Sequence, residues 1–168
     1  MLALATMGWI GWNFTLDALW QPTDRRTISQ ILKMLDVSPG DTVYDLGCGD
    51  GRWLSQAVKE RDVRAVGVEI DPVRVIISWM RLVFSGSITQ AKVIWGNMYG
   101  VDLSDADAVI LFLSEEANAK LSSKLGEELS SGTRIASFYH ELPNWTPVLT
   151  EKNKDDYDIY IYERRDGR

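Results

Sequence analysis

Apolar positions along the chain follow two alternating rhythms. Short runs of aliphatic and aromatic residues at Thr42–Leu46, 65–69, Ala91–Trp95, 107–113 and 133–139 read as strands, and the segments between them place apolar residues every three to four positions, as amphipathic helices do. Ile28, Ile31, Leu32 and Leu35 form one such helical stripe, with Thr23 or Asp24 as its cap. A second helix is expected over Arg52–Arg61, a third begins at Asp71-Pro72 with the proline tolerated in its first turn, and a fourth runs from a Ser114 cap to about Leu129. The run Asp-Ala-Val-Ile-Leu-Phe-Leu at 107–113 has no polar alternation, which is the mark of a central parallel strand buried on both faces. Val37-Ser38-Pro39-Gly40-Asp41 and Ser131-Gly132 are turn chemistry. Beyond the fifth strand, residues 140–145 are too short and proline-marked for a crossover helix, so residues 145–150 and 157–162 are expected to pair as a hairpin across 151–156. These elements predict an α/β fold with a Rossmann-like, mostly parallel open sheet and an antiparallel C-terminal hairpin.

Residues 1–20 stand apart from this rhythm. They carry Trp9, Trp12 and Trp20, and no charge precedes Asp17. A secretory signal needs a basic start and a small-residue cleavage site, and a spanning helix needs about 20 apolar residues, so neither description matches. The readings that remain are a helix packed on the domain, an element docking to a membrane surface or a membrane-embedded partner, and the end of a longer anchor; tryptophans at one end suit an interfacial position. Residues 21–168 form the folded domain on this reading.

The chemistry gathers where the first strand breaks into glycines, at Val43-Tyr44-Asp45-Leu46-Gly47-Cys48-Gly49-Asp50-Gly51-Arg52. Such a strand, turn and helix start lets the backbone approach a ligand without a Cβ in the way and offers unpaired N–H groups beyond it. A dinucleotide fingerprint would have its third glycine where Arg52 stands, so a pyrophosphate cofactor is disfavoured. Asp45 sets a carboxylate beside the turn, which repels phosphate and suits a ligand bearing an ammonium group. Glu69 ends the second strand, 20 residues after Gly49, where an acid takes both hydroxyls of a ribose. Cys48 reads as a small filler between glycines.

At 168 residues and 45% hydrophobic the chain has material for one domain with a real core. Its single cysteine permits no intrachain disulfide, which matches a reducing compartment and makes cytoplasm the default, with membrane association through residues 1–20 the variation on it. Against 24 Asp and Glu stand 18 Lys and Arg, a net charge of −6 that repels phosphodiester backbones and attracts basic partners. Nucleic acid is therefore disfavoured as substrate, and no metal site is expected.

The pattern Asp-x-Gly-x-Gly-x-Gly at 45–51 resembles the first motif of class I, seven-strand S-adenosylmethionine-dependent methyltransferases. With Pro22-Thr23, Val66-Gly67-Val68-Glu69, Gly96-Asn97, Phe112-Leu113, Gly132-Thr133-Arg134 and Trp145, residues 21–163 most resemble the small archaeal protein-lysine methyltransferases and their membrane-anchored mitochondrial relatives. The resemblance implies S-adenosylmethionine as cofactor, with Asp45, Gly47 and Gly49 around its methionine part, Glu69 on the ribose, Asn97 with Met98 on the adenine, and Asp50 also among the cofactor-binding residues. It also implies a lysine-bearing, basic protein as substrate. The candidates for an acceptor channel are Thr23, Phe112, Leu113 and Ser114, with Phe138, Tyr139 and His140 at the next strand end. Two departures matter. The Asn/Asp-Pro-Pro-aromatic motif of amino-methyltransferases acting on adenine or glutamine amides is replaced by Phe112-Leu113-Ser114-Glu115, and Phe138-Tyr139-His140 differs from the polar residues associated with the family. A small-molecule or RNA methyltransferase and a noncatalytic cofactor-binding protein are the alternatives, since the same cofactor site would serve each.

Overall fold

The computed structural model describes residues 23–166. Helix α1 (Arg25–Leu35) opens on Asp24, whose Oδ1 accepts from the backbone N–H groups of Arg26 and Thr27, and stops at Asp36 in the left-handed region, φ 52°. There follow β1 (Thr42–Leu46), α2 (Arg52–Arg61), β2 (Arg64–Glu69), α3 (Pro72–Ser85), β3 (Ala91–Trp95), a 3₁₀ turn at Met98–Gly100, β4 (Ala108–Leu111), α4 (Glu115–Glu128), β5 (Arg134–Phe138), β6 (Leu149–Lys152) and β7 (Asp158–Glu163).

The seven strands lie in the order β3-β2-β1-β4-β5-β7-β6, parallel except for β7 and β6. Strand β1 sits between β2 and β4, with Asp45 level with Gly67 on one side and Ile110 on the other. Successive strand residues feed opposite faces. Val43, Ala108 and Ile110 join Ile28, Leu32 and Trp53 in the core beneath α1 and α2, while Tyr44, Leu46, Val109 and Leu111 join Leu121, Leu125 and Tyr162 beneath α4. That double burial is why β1 and β4 are apolar throughout their length, apart from the strand-end acid of β1 and its buried threonine and tyrosine.

The structure confirms the α/β sheet and its antiparallel end, and it moves the hairpin. Pairing begins later than residue 145: the N–H of Val148 donates to the Ile161 carbonyl and β6 occupies Leu149–Lys152. Pro143 and Pro147 withhold donors on either side of Asn144, which is itself left-handed at φ 67°, so Trp145 leaves the sheet and lays its indole edge-on to Tyr162 while donating to Ser122. The connection from β3 to β4 holds only the 3₁₀ turn, so α4 and loop side chains such as Leu103, Met98 and Trp145 cover that face of the sheet. The expectation for residues 1–20 lies outside the described residues. Among those described, no helix is long and apolar enough to cross a membrane.

Candidate functional site

The glycine turn hangs from the next strand. The N–H groups of Gly47 and Cys48 both donate to the Val68 carbonyl, at 2.8 and 3.0 Å, so the backbone leaving β1 curls over the end of β2. Gly47 is left-handed at φ 83° and exposed, and a Cβ there would sit 3.0 Å from Cδ2 of Leu113. It is the floor of an open cradle between β1 and β4. Gly51, at φ 71°, precedes α2 and lies against Ser78 of α3, with no room for a side chain.

Two acids converge on this turn. Glu69 is 4% exposed; its Oε2 accepts from the Gly49 N–H at 2.9 Å, and its Oε1 accepts from Ile70 and Asp71 at 3.0 and 2.9 Å. Three backbone donors thus fix the carboxylate and use three of its roughly four acceptor sites. Asp45, equally buried, has an Oδ2 without a hydrogen-bond partner among the described residues. Burial, then the charges of Glu69 and Asp50, push its carboxyl up to about 8. Cys48 beside them is buried, and burial, then Asp45 and Glu69, push its thiol well up, so it stays a protonated packing residue.

Asp50 faces a different task. Its carboxylate pairs with Arg52 at 2.7 Å and Arg81 at 2.8 Å; burial works to raise it, but the arginine hydrogen bonds and charges prevail and hold it below the ordinary carboxylate value. Arg52 also donates to the Thr23 carbonyl, and the Thr23 hydroxyl accepts from the Trp53 indole at 3.4 Å, so Thr23 is a packed threonine below the turn. Across the mouth of the turn, exposed Asn97 uses Oδ1 to accept from the Tyr99 N–H and cap the 3₁₀ turn, while Met98 leans half-buried into the core.

On the other side, the ends of β4 and β5 carry a chain of rings. Phe112 meets Phe138 at 4.7 Å between centroids, Phe138 meets Tyr157 at 6.4 Å, Tyr157 meets Tyr139 at 5.0 Å, and Tyr139 meets His140 at 4.7 Å. Tyr139 adopts φ 81°, a left-handed conformation unusual for a tyrosine, and the residue is 46% exposed, as is Tyr157. Four of the expected channel residues therefore meet in one cluster. Leu113 turns into the core toward Gly47, and Ser114 spends its hydroxyl accepting from Ala117 as the cap of α4.

Sequence reasoning missed two members of this neighbourhood. Tyr157 was legible only as a strand residue, although the β6–β7 loop delivers it to the ring cluster. Asn118, fully buried, donates through Nδ2 to the Ser137 hydroxyl and to the carbonyls of His140 and Glu141, pinning the chain after β5. The available signal was an amide on the apolar face shared with Ala117, Leu121 and Leu125.

Residues 45–149 match the family model described as the ANTKMT methyltransferase domain. The chain belongs to that family. It is 37% identical over 145 residues to a protein-lysine N-methyltransferase of Saccharolobus islandicus strain REY15A, covering 84% of this chain and 90% of that protein. It is 30% identical over 139 residues to the adenine nucleotide translocase lysine N-methyltransferase of Mus musculus, spanning 80% of this chain but only 60% of the mouse protein. Among solved structures, an RNA methyltransferase from Salinibacter ruber in complex with S-adenosyl-L-homocysteine superposes with a TM-score of 0.85 at 30% identity, covering 88% of this chain and 96% of that one.

The cofactor of this methyltransferase is S-adenosylmethionine, and the turn fits it. A buried, partnerless Asp45 oxygen among negative neighbours suits a cationic ligand, and S-adenosylmethionine carries an ammonium group; the absence of a side chain at Gly47 leaves space where a Cβ would intrude.

Proposed function

We propose that this protein methylates lysine side chains of basic protein substrates. The observation that carries the reading is the 37% identity to the archaeal protein-lysine N-methyltransferase across nearly the full length of both chains. In this proposal Asp45, Gly47 and Gly49 hold the methionine part of the cofactor, Glu69 the ribose hydroxyls, and Asn97 and Met98 the adenine. Asp50 serves indirectly, anchoring the turn to Arg52 and Arg81.

Bound S-adenosylmethionine supplies an electrophilic methyl group on a sulfonium. The chain's tasks are then alignment and exclusion of water. Phe112, Phe138, Tyr139 and Tyr157 wall the approach to the turn. Their apolar faces disfavour the charged form of an entering lysine, whose ordinary pKa is about 10.4, so that the nucleophilic neutral amine becomes accessible. Ring faces also receive a cationic methylammonium product. Glu115, Glu116 and Glu141 are exposed beside this mouth and, with a net charge of −6, favour a basic segment over a phosphate backbone. His140 belongs to the packing, with its ring on Tyr139 and its carbonyl held by Asn118 and Ser137.

Incubation with methyl-labelled S-adenosylmethionine and a cell lysate tests the reading. Label should enter protein and emerge as methyl-lysine after acid hydrolysis. Label confined to RNA or to small molecules would overturn it.

A further inference from the structure

Three helices share one face of the sheet. Helices α1 and α2 pack over Val43 and Ala108, α2 and α3 over Ala65 and Ala91, and Val43 stands level with Ala65 across β1 and β2. This layer is basic. Arg25, Arg26 and Lys33 lie on α1, Arg52, Lys59 and Arg61 on α2, and Arg74 and Arg81 on α3, while Glu60 is the one acid within the three helices. Adding the aspartates that cap them, Asp24, Asp36, Asp62 and Asp71, still leaves eight cations against five anions, in a chain whose net charge is −6. Asp50, between α2 and α3, is shared by Arg52 and Arg81 and so neutralises only one of them. On the opposite face α4 is acidic, with four glutamates against Lys120 and Lys124.

Within the basic layer, α3 turns its apolar side outward. Only Ser78 and Leu82 of its 14 residues are buried. Residues of a helix advance by about 100° each, which sets Ile76, Ile77, Trp79, Met80, Val83 and Phe84 within one outward arc of about 160°, bordered by Arg74 and Arg81. Each residue of the arc is between 39% and 86% exposed. Trp95 of β3, 69% exposed, extends the surface and donates its indole N–H to the Ile70 carbonyl at 3.2 Å. An apolar face this continuous marks a surface that something covers.

We infer that this helical layer docks on a bilayer bearing anionic phospholipid, with the α3 arc entering the headgroup boundary and the bases of α1, α2 and α3 set over the headgroups. Aliphatic and aromatic side chains flanked by arginine, with no acid on the helix, are the make-up of a helix lying in the plane of a membrane interface. Charge decides among the occupants. A second copy would set one basic layer against another, and a nucleic-acid backbone would satisfy the cations but leave Ile76, Ile77 and Val83 in water. An anionic bilayer meets both needs.

Phe84→Cys in the full chain, labelled with the fluorophore NBD, reports the depth of the arc, since Cys48 is buried and stays unlabelled. Ser123→Cys, exposed on α4 across the sheet, is the control. With vesicles of about one part phosphatidylserine to three of phosphatidylcholine, NBD at 84 should shift to the blue and be quenched by spin-labelled lipid, and NBD at 123 should do neither. Ile76→Asp with Val83→Asp should weaken vesicle partition at least ten-fold with S-adenosylhomocysteine affinity unchanged, and high salt should weaken partition as well. Ile76→Cys replaces Phe84→Cys, and serine replaces the two aspartates, should either variant fail to fold. Absent partition, equal responses at 84 and 123, equal partition to phosphatidylcholine alone, or partition that survives the substitutions at 76 and 83 overturns the inference. So does NBD at 84 that is already blue-shifted without vesicles, through a second copy or another part of the chain, or that responds to single-stranded RNA and not to vesicles.

Discussion

The backbone N–H of Gly49 and Oε2 of Glu69 are joined at 2.9 Å, although the residues lie 20 apart in the chain and on different strand ends. The acid at the end of β2 is thus part of the glycine turn after β1, holding the loop from one side and Ile70 and Asp71 from the other. The shape of the turn and the proposed ribose contact share one carboxylate.

Replacing Glu69 with alanine should therefore cost more than a single contact. A hydrogen bond to a charged acceptor contributes about 1.5–3 kcal/mol, so affinity for S-adenosylhomocysteine should drop at least ten-fold and the melting temperature should drop with it. Glu69→Gln should recover little, because an amide group would turn an N–H toward one of the three backbone donors. Isothermal calorimetry measures both variants. An unchanged dissociation constant would remove Glu69 from the cofactor site.

Asp45 gives the apo protein a pH signature. Its carboxyl is raised to about 8 in the fold and lies near 3.9 when unfolded, so the native state holds a proton that the unfolded state has released between those values. Stability from this group is highest below pH 4 and declines as pH rises toward 8. Cofactor binding, which favours the carboxylate, should strengthen over roughly pH 6 to 8 and release a proton at neutral pH. Asp45→Asn should flatten both dependences and weaken binding. Calorimetry in buffers of different ionisation enthalpy counts the proton, and finding none released in the native protein at pH 7 would contradict the assignment.

Gly51→Ala should destabilise the fold by about 2 kcal/mol or more, from a left-handed alanine together with the collision against Ser78. Adding Ser78→Ala removes the nearest colliding atom, so the double variant should be more stable than the sum of the singles predicts. Urea denaturation of all three measures the coupling.

Much of this architecture was legible because local pattern and tertiary role agree. Thr42–Leu46 and Ala91–Trp95 fall where their apolar runs do, and the Asp24 and Ser114 caps are where short polar side chains meet helical stripes. What stayed hidden depends on contacts distant in the chain. Trp145 has strand chemistry but is drawn off by Ser122 and Tyr162; Tyr157 gains meaning only when its loop folds back on Tyr139; and Asn118, an amide on an apolar helix face, shows its partners only when Ser137 and the 140–141 carbonyls surround it. Sequence reasoning assigns helix α3 no buried face, and in the structure its hydrophobic stripe points outward; periodicity alone does not say which side meets the sheet.

Asn118→Leu keeps the volume and deletes the donors for three oxygens. It should lower stability by about 2 kcal/mol and reduce kcat/KM for the protein acceptor while cofactor affinity holds. Calorimetry beside steady-state kinetics separates the effects, and a loss of cofactor affinity as large as the loss of kcat/KM would place Asn118 elsewhere in the mechanism.

Tyr157→Leu should raise KM for the lysine substrate several-fold with little change in S-adenosylhomocysteine binding, since it removes a ring from the mouth and touches nothing at the glycine turn. Wild-type KM in this variant would exclude the ring cluster from acceptor contact.

The strand order carries a consequence for inheritance. Because the sheet reverses direction of growth between β1 and β4, the residues proposed to hold the cofactor ride on β1, β2 and the end of β3, and the ring cluster rides on β4, β5 and the loop before β7. The two halves meet where Leu113, just past β4, lies against Gly47. Substitutions that retune what is methylated can thus accumulate in one half of the sheet while the other half keeps its grip on the methyl donor, so such a scaffold can change clients without relearning its chemistry.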